Sequence, residues 1–204
     1  MGLFPPPPRI PCMILAASMN SDELNALEDS VARLKQGDLD ALSEVMAKYQ
    51  HRLYRFLLRL AQDPALADDL FQQTWLRVME RIGRYDARRQ FSPWLFSVAR
   101  NLTIDTLRKR QLGSLDAAEH DGVAPIDRLV TAGQDPLEQL LEFERGAALA
   151  AAIAELPVIH REVLALRFEE EMKLEQIAEV IDVPLSTVKS RLLRALEGLR
   201  GRLQ

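Results

Sequence analysis

The chain has 204 residues, 48% of them hydrophobic and 27% charged, a balance expected of a folded globular protein and not of a disordered or membrane one. Its single cysteine, Cys12, excludes an internal disulfide and, with no Cys or His nearby, a zinc site. The formal net charge of −4 speaks against a uniformly basic nucleic-acid binder, so such a role depends on where the cations cluster.

Residues 1–20 hold a polyproline run, Pro5 to Pro8, and a short apolar stretch, Ile10 to Ala17. A proline-rich docking segment or a targeting peptide would fit parts of this. Only Arg9 supplies charge and the apolar stretch is short, so a disordered leader is the preferred reading. No apolar run approaches the ~20 residues that span a bilayer.

From Leu24 the pattern becomes helical. Leu24, Leu27, Val31 and Leu34 recur at helical spacing, and Gly37 ends the segment. Asp38 can cap the next helix, whose stripe is Leu42, Val45, Met46, Tyr49, Leu53, Phe56, Leu57 and Leu60. Asp63-Pro64 opens a helix to about Ile82, with Asp as N-cap and Pro in the first turn. Ser92-Pro93 opens another to about Arg110, and Asp135-Pro136 a third to about Leu156. Strand signals are nearly absent. Residues 111–134 lose the periodicity, carry Gly113, Gly122, Pro125 and Gly133, and turn acidic with Asp116, Glu119, Asp121 and Asp127. The expected architecture is all-α: two small helical domains, 21–110 and 135–204, joined by a flexible acidic linker.

Three segments carry chemistry. The helix after Pro64 is apolar beyond one stripe, with Leu66, Leu70, Phe71, Trp75, Leu76, Val78, Met79 and Ile82. It reads equally as a partner surface and as a central helix with neighbours on two sides. The next segment interleaves cations and aromatics: Arg84, Tyr85, Arg88, Arg89, Phe91, Trp94, Phe96, Arg100, Asn101, Arg108, Lys109 and Arg110. Such a pattern suits single-stranded or unwound DNA, where arginines meet phosphates and an amide reads base edges. For Trp94 and Phe96 a core role is the better reading, and for the arginines and Asn101 contact with DNA. Residues 174–199 look like a helix-turn-helix. Leu174, Ile177, Ala178 and Ile181 face inward on the first helix, and Asp182-Val183-Pro184 breaks it. Ser186 or Thr187 caps a second helix with Val188, Leu192, Ala195, Leu196 and Leu199 inward and Lys189, Arg191 and Arg194 outward. The competing reading is an ordinary amphipathic helix with a solvated basic face.

These residues resemble a family. Asp68-Asp69-Leu70-Phe71-Gln72-Gln73-Thr74-Trp75, then Phe91 to Asn101, then Asp105 with Arg108, look like region 2 of sigma-70-type factors. Leu156-Pro157 with Arg161-Glu162-Val163-Leu164, then Gln176 to Glu179, then Ser186 to Leu192, look like region 4. The absence of regions 1.1 and 3 resembles the extracytoplasmic-function group. The resemblance implies a sigma factor that binds core RNA polymerase, directs promoter-specific initiation and helps melt DNA. It implies that Asp68, Asp69, Leu70, Phe71, Gln72, Gln73 and Trp75 dock on the polymerase clamp. Arg84, Arg88, Arg89, Asn101 and Arg108 would meet the unwound −10 strand, with Arg88, Arg89 and Asn101 near a pocket for an extruded base. Ser186, Thr187, Lys189, Ser190, Arg191 and Arg194 would meet the double-stranded −35 element. An anti-sigma factor is an expected further partner; it could hold the otherwise cytoplasmic protein at a membrane. The two dozen linker residues could reach ~80 Å fully extended.

Four positions depart from the family pattern. Asp182 stands where Gly is usual, Lys173 where a Ser/Thr cap is usual, Ser186 where Gly is common, and Leu193 is apolar on a polar face. A stand-alone helix-turn-helix regulator would leave the Asp68–Trp75 helix and the Arg84–Arg110 segment idle. A helical adaptor without a DNA role would leave two basic clusters in an acidic chain unexplained. An enzyme is not expected, because His51, His120 and His160 are isolated and no phosphate loop, triad or metal spacing occurs. No cofactor, metal or small-molecule substrate is expected.

Overall fold

The computed structural model describes residues 21–113 and 146–203. Helices account for nearly all of them: α1 Ser21–Lys35, α2 Asp40–Ala61, α3 Pro64–Arg81, α4 Phe91–Gly113, α5 over residues 146–154, α6 Val158–Leu164, α7 Leu174–Ile181 and α8 Leu185–Arg202. No strand occurs among the described residues. The leader 1–20, the segment 114–134, His120 and the Asp135-Pro136 helix start lie outside them.

Local chemistry explains the boundaries. Gly37 follows α1 with φ +95°, the left-handed geometry that glycine adopts without a Cβ penalty. Asp38 Oδ1 accepts from the Asp40 N–H at 3.0 Å at the start of α2. Asp63 caps α3 as expected, accepting from the Ala65 and Leu66 N–H groups, with Pro64 in the first turn. Two starts differ from expectation. α4 begins at Phe91, so Ser92 and Pro93 lie inside its first turn, where a missing N–H leaves no bond unmade. α8 begins at Leu185 behind Pro184, and neither Ser186 nor Thr187 supplies a side-chain cap.

α1–α4 form one unit. The α2 stripe is buried at Val45, Tyr49, Leu53, Phe56, Leu57 and Leu60, while Leu42 and Met46 are partly buried. Phe96 is fully buried and meets Phe56 edge-on at 5.1 Å. Trp94 is half-buried in a ring cluster with Tyr85 and Phe91. α5–α8 form the second unit. α6 runs into a π-turn, Ala165–Glu169, within which Arg167 and Phe168 face solvent, while the following Glu170 is buried. Gly198 lets α8 approach the turn that follows α5: a Cβ there would stand 3.0 Å from Leu156 Cδ2.

The two units pack together, α2 against α6 and α4 against α7, and their buried residues form one continuous cluster. Composition and periodicity describe two cores joined by a tether and contain no sign of this contact.

Candidate nucleic-acid and partner interfaces

α3 has two faces. Leu66, Leu70, Trp75 and Val78 are buried against the unit, so Leu70 and Trp75 build the helix's seat and do not reach a partner. Phe71 is half-buried, edge-on to Tyr54 and Trp75. Asp68 is half-buried beside Tyr54, whose hydroxyl is pushed up to about 12 by burial and by that carboxylate. Asp69, Gln72, Gln73, Leu76 and Met79 are exposed at helical spacing, Leu76 by 51%. The central-helix reading therefore holds for the buried face, and the other face is open to solvent. An apolar pair framed by a carboxylate and two amides is a surface that a protein partner can cover.

The segment 84–90 is a short loop set between a 3₁₀ turn, Ile82–Arg84, and α4. It is pinned from beneath. Lys35 Nζ donates to the Tyr85 carbonyl at 2.7 Å, Arg88 N–H donates to Asp86 Oδ1, and the Tyr85 hydroxyl donates to the Arg89 carbonyl. Arg84, Arg88 and Arg89 are exposed on it. On α4, Asn101, Asp105 and Arg108 are exposed on one face, at i, i+4 and i+7. Arg108 pairs with Asp105 at 3.1 Å, and Asn101 Oδ1 accepts from Arg100 Nη1 at 3.2 Å. Asn101 stands ~15 Å along the helix from Phe91, so the loop cations and this face are set well apart along α4.

α7 and α8 form the helix-turn-helix. Asp182 takes the left-handed conformation, φ 52° and ψ 56°, that a glycine would otherwise occupy. Lys173 has no side-chain acceptor to offer, and Gln176 supplies only the reciprocal half of a capping box: its Oε1 accepts from the Lys173 N–H at 2.8 Å. Ser186, Lys189, Ser190 and Arg194 are exposed along α8, and Thr187 is partly exposed. Two side chains depart from the expected layout. Leu196 is 43% exposed, because Val188, Ala195 and Leu199 carry the buried stripe. Arg191 turns inward: its Nη1 donates to Glu162 Oε1 at 2.9 Å, and Glu162 is fully buried. His160, on the neighbouring α6, has its pKa lowered by burial and by Arg194 and Arg191. Among the described residues no group of acidic, His and Cys side chains could hold a metal ion, and no helix is long and apolar enough to cross a membrane.

The family model for sigma-70 region 2 matches residues 45–112, and that for sigma-70 region 4 matches residues 152–201. The chain belongs to the sigma-70 family. It is 31% identical over 181 residues to the ECF RNA polymerase sigma factor SigW of Bacillus subtilis, covering 87% of this chain and 97% of that one. It is 32% identical over 165 residues to SigM of the same organism, covering 78% and 93%. Its fold is similar to that of CnrH solved in complex with the cytosolic domain of CnrY, with TM-score 0.62 and 21% identity over 87% of this chain and 97% of that one. It is also similar to the sigma factor RpoE of Bartonella quintana in complex with the anti-sigma factor NepR, with TM-score 0.64 and 22% identity over 79% and 95%. Region 2 thus comprises most of α2 with α3 and α4, and region 4 reaches from the end of α5 into the last turn of α8.

Pattern reading missed the charged residues between these regions. Glu162 is claimed from both sides, by Arg191 of region 4 and by Arg100 of region 2 at 2.9 Å. Its one signal in the sequence is position: it stands directly before the apolar run Val163 to Leu166. Arg52, Arg59, Glu169 and Glu170 carry no such signal, because on an amphipathic helix they read as solvated charges.

Proposed function

We propose that this sigma-70-family protein binds core RNA polymerase and directs promoter-specific transcription initiation. Family membership over two ordered regions carries this reading; the exposed faces supply its parts. The α3 face of Asp69, Gln72, Gln73, Leu76 and Met79 docks on polymerase, with Asp68 and Phe71 at its edge. Loop residues Arg84, Arg88 and Arg89, with Asn101 and Arg108 on α4, hold the unwound −10 strand: cations on phosphates and the amide on a base edge. Melting follows if a base extruded there is bound, since binding offsets unpairing. α8 lies in the −35 major groove with Ser186, Thr187, Lys189, Ser190 and Arg194 toward DNA. Arg191 acts there as a positioning residue, held by Glu162.

The proposed division is a leader over 1–20, region 2 over 21–110, a linker over 111–134 and region 4 over 135–204, although α4 carries helix on to Gly113. The protein works in the cytoplasm and catalyses no reaction of its own. An anti-sigma factor is proposed as a partner, because the similar RpoE was solved with one.

Run-off transcription with purified core polymerase on a promoter library tests the whole reading. Transcripts that require the protein and share a two-part upstream sequence are expected. DNA binding by the protein alone, without new transcripts, would replace this reading with a stand-alone regulator.

A further inference from the structure

α6 lies along one edge of α8, and two contacts fix the register. Thr187, Arg191, Arg194 and Gly198 share that edge, at i, i+4, i+7 and i+11. At one end Arg191 Nη1 donates to Glu162 Oε1 of α6 at 2.9 Å. At the other, a Cβ on Gly198 would stand 3.0 Å from Leu156 Cδ2, just before α6. The helices therefore run antiparallel here. Between Leu156 and Glu162 the chain passes His160, and between Gly198 and Arg191 it passes Arg194. This register sets the half-buried imidazole beside the exposed Arg194 guanidinium.

The charges acting on this ring are all of one sign. Its pKa is lowered first by burial, then by Arg194 and then by Arg191. The other charges around α6 are engaged elsewhere. Glu162 is held between Arg191 and Arg100, Glu169 pairs with Arg59 and Glu170 with Arg52. Arg59 also acts on the buried Arg161, Arg167 donates to the Met172 carbonyl, and Glu155 pairs with Arg202. At neutral pH the free protein thus holds a neutral imidazole next to a cation that faces water.

We propose that His160 is a phosphate-contacting residue: with Arg194 it seats one phosphodiester of the −35 duplex at the edge of α8, and its ring takes up a proton from water as the phosphate arrives. The proposal rests on the reading of α8 as the helix in the −35 groove. A helix ~10–12 Å across fills a major groove ~12 Å wide, so its edges lie against the backbone. Ser186, Lys189 and Ser190 lie off this edge and face the bases. The phosphate supplies the negative charge that the ring lacks in the free protein, and the imidazolium donates a charge-assisted hydrogen bond to it. The ring's pKa is then higher in the complex than in the free chain. Binding takes up a proton, and affinity rises as pH falls through the interval between the two values.

The test uses the full chain and a short mixed-sequence DNA duplex at fixed salt, read by fluorescence anisotropy. Between about pH 7.5 and about pH 6 the wild-type affinity should rise about threefold, within the tenfold per pH unit that uptake of one proton allows. His160→Gln should lose this response. His160→Lys, charged throughout, should bind at both pH values as tightly as the wild type does in acid. Circular dichroism checks that each variant is folded. A second readout needs no variant at this position: in proton NMR of the wild type, the His160 Hε1 resonance should titrate with a higher midpoint once duplex is added. His51→Gln and His120→Gln identify that resonance by elimination. A midpoint that duplex leaves unmoved, or a pH response kept in folded His160→Gln, overturns the seat while Lys189→Ala still weakens binding. If Lys189→Ala and Arg194→Ala also leave duplex binding unchanged, the reading of α8 has failed and the seat falls with it.

Discussion

Asp63 shows how much one side chain settles locally. Its Oδ1 accepts from the Ala65 and Leu66 N–H groups at 3.0 and 3.2 Å, and Oδ2 pairs with Arg110 at 3.1 Å. The Leu66 N–H and the Arg110 guanidinium hold this carboxyl below the usual carboxylate range. A carboxylate with a depressed folded-state pKa contributes stability above its unfolded value of about 3.9, and that contribution is lost as pH falls through the folded value. Asp63→Ala should therefore cost about 1 kcal/mol in urea unfolding at neutral pH. The gap between variant and wild type should close as pH is lowered past about 4. A gap that persists in acid would show that packing, not capping, is lost. Asp182 is the other instructive residue. It replaces the glycine usual in this turn and still adopts φ 52°, because a short polar side chain tolerates the left-handed region.

α3 and α8 each divide their residues between seat and surface. Asp69 is exposed on α3. Asp69→Arg should leave the unfolding free energy within about 0.5 kcal/mol, as surface changes do. It should weaken polymerase binding by at least about tenfold, equivalent to ~1.4 kcal/mol, in a pull-down titration. Equal affinity would remove this face from the interface. On α8, Lys189 and Arg194 are exposed. Lys189→Ala and Arg194→Ala should each weaken binding to promoter duplex and reduce the salt slope by about 1, with melting temperature unchanged. Arg191→Ala should instead lower the melting temperature, since it leaves the buried Glu162 with one cation fewer. If Arg191→Ala and Lys189→Ala behave alike, the positioning role of Arg191 is wrong.

The whole molecule behaves as one body in this structure, and Arg161 is the side chain that ties it most deeply. Its guanidinium is buried and donates to the Leu156 and Ala154 carbonyls of its own unit and to the Leu60 carbonyl of the other. Arg161→Ala removes all three bonds, each charge-assisted and worth roughly 1.5–3 kcal/mol. The expected calorimetric result is a single thermal transition in the wild type and two separated transitions in the variant. One transition in both would mean that the shared apolar cluster alone couples the units.

The sequence by itself determined most of the helices, most of their ends and the family, though it carried no reading of α6 or of the π-turn after it. These depend on neighbours three or four residues away: the stripe from Val45 to Leu60, the cap at Asp63 and the stop at Gly37 are all read within a turn or two. It also placed the exposed cations of loop 84–90 and of Lys189 and Arg194, because a basic residue off the apolar stripe faces water. Only the tertiary structure decided which charges are not solvated. Arg52 meets Glu170 across 118 positions, Arg59 meets Glu169 across 110, and Arg161 meets Leu60 across 101. Periodicity has no reach at that separation, and a glutamate on a helix looks the same whether water or an arginine lies above it. The inward turn of Arg191, the burial of Leu70 and Trp75 and the closure of one unit on the other were settled there.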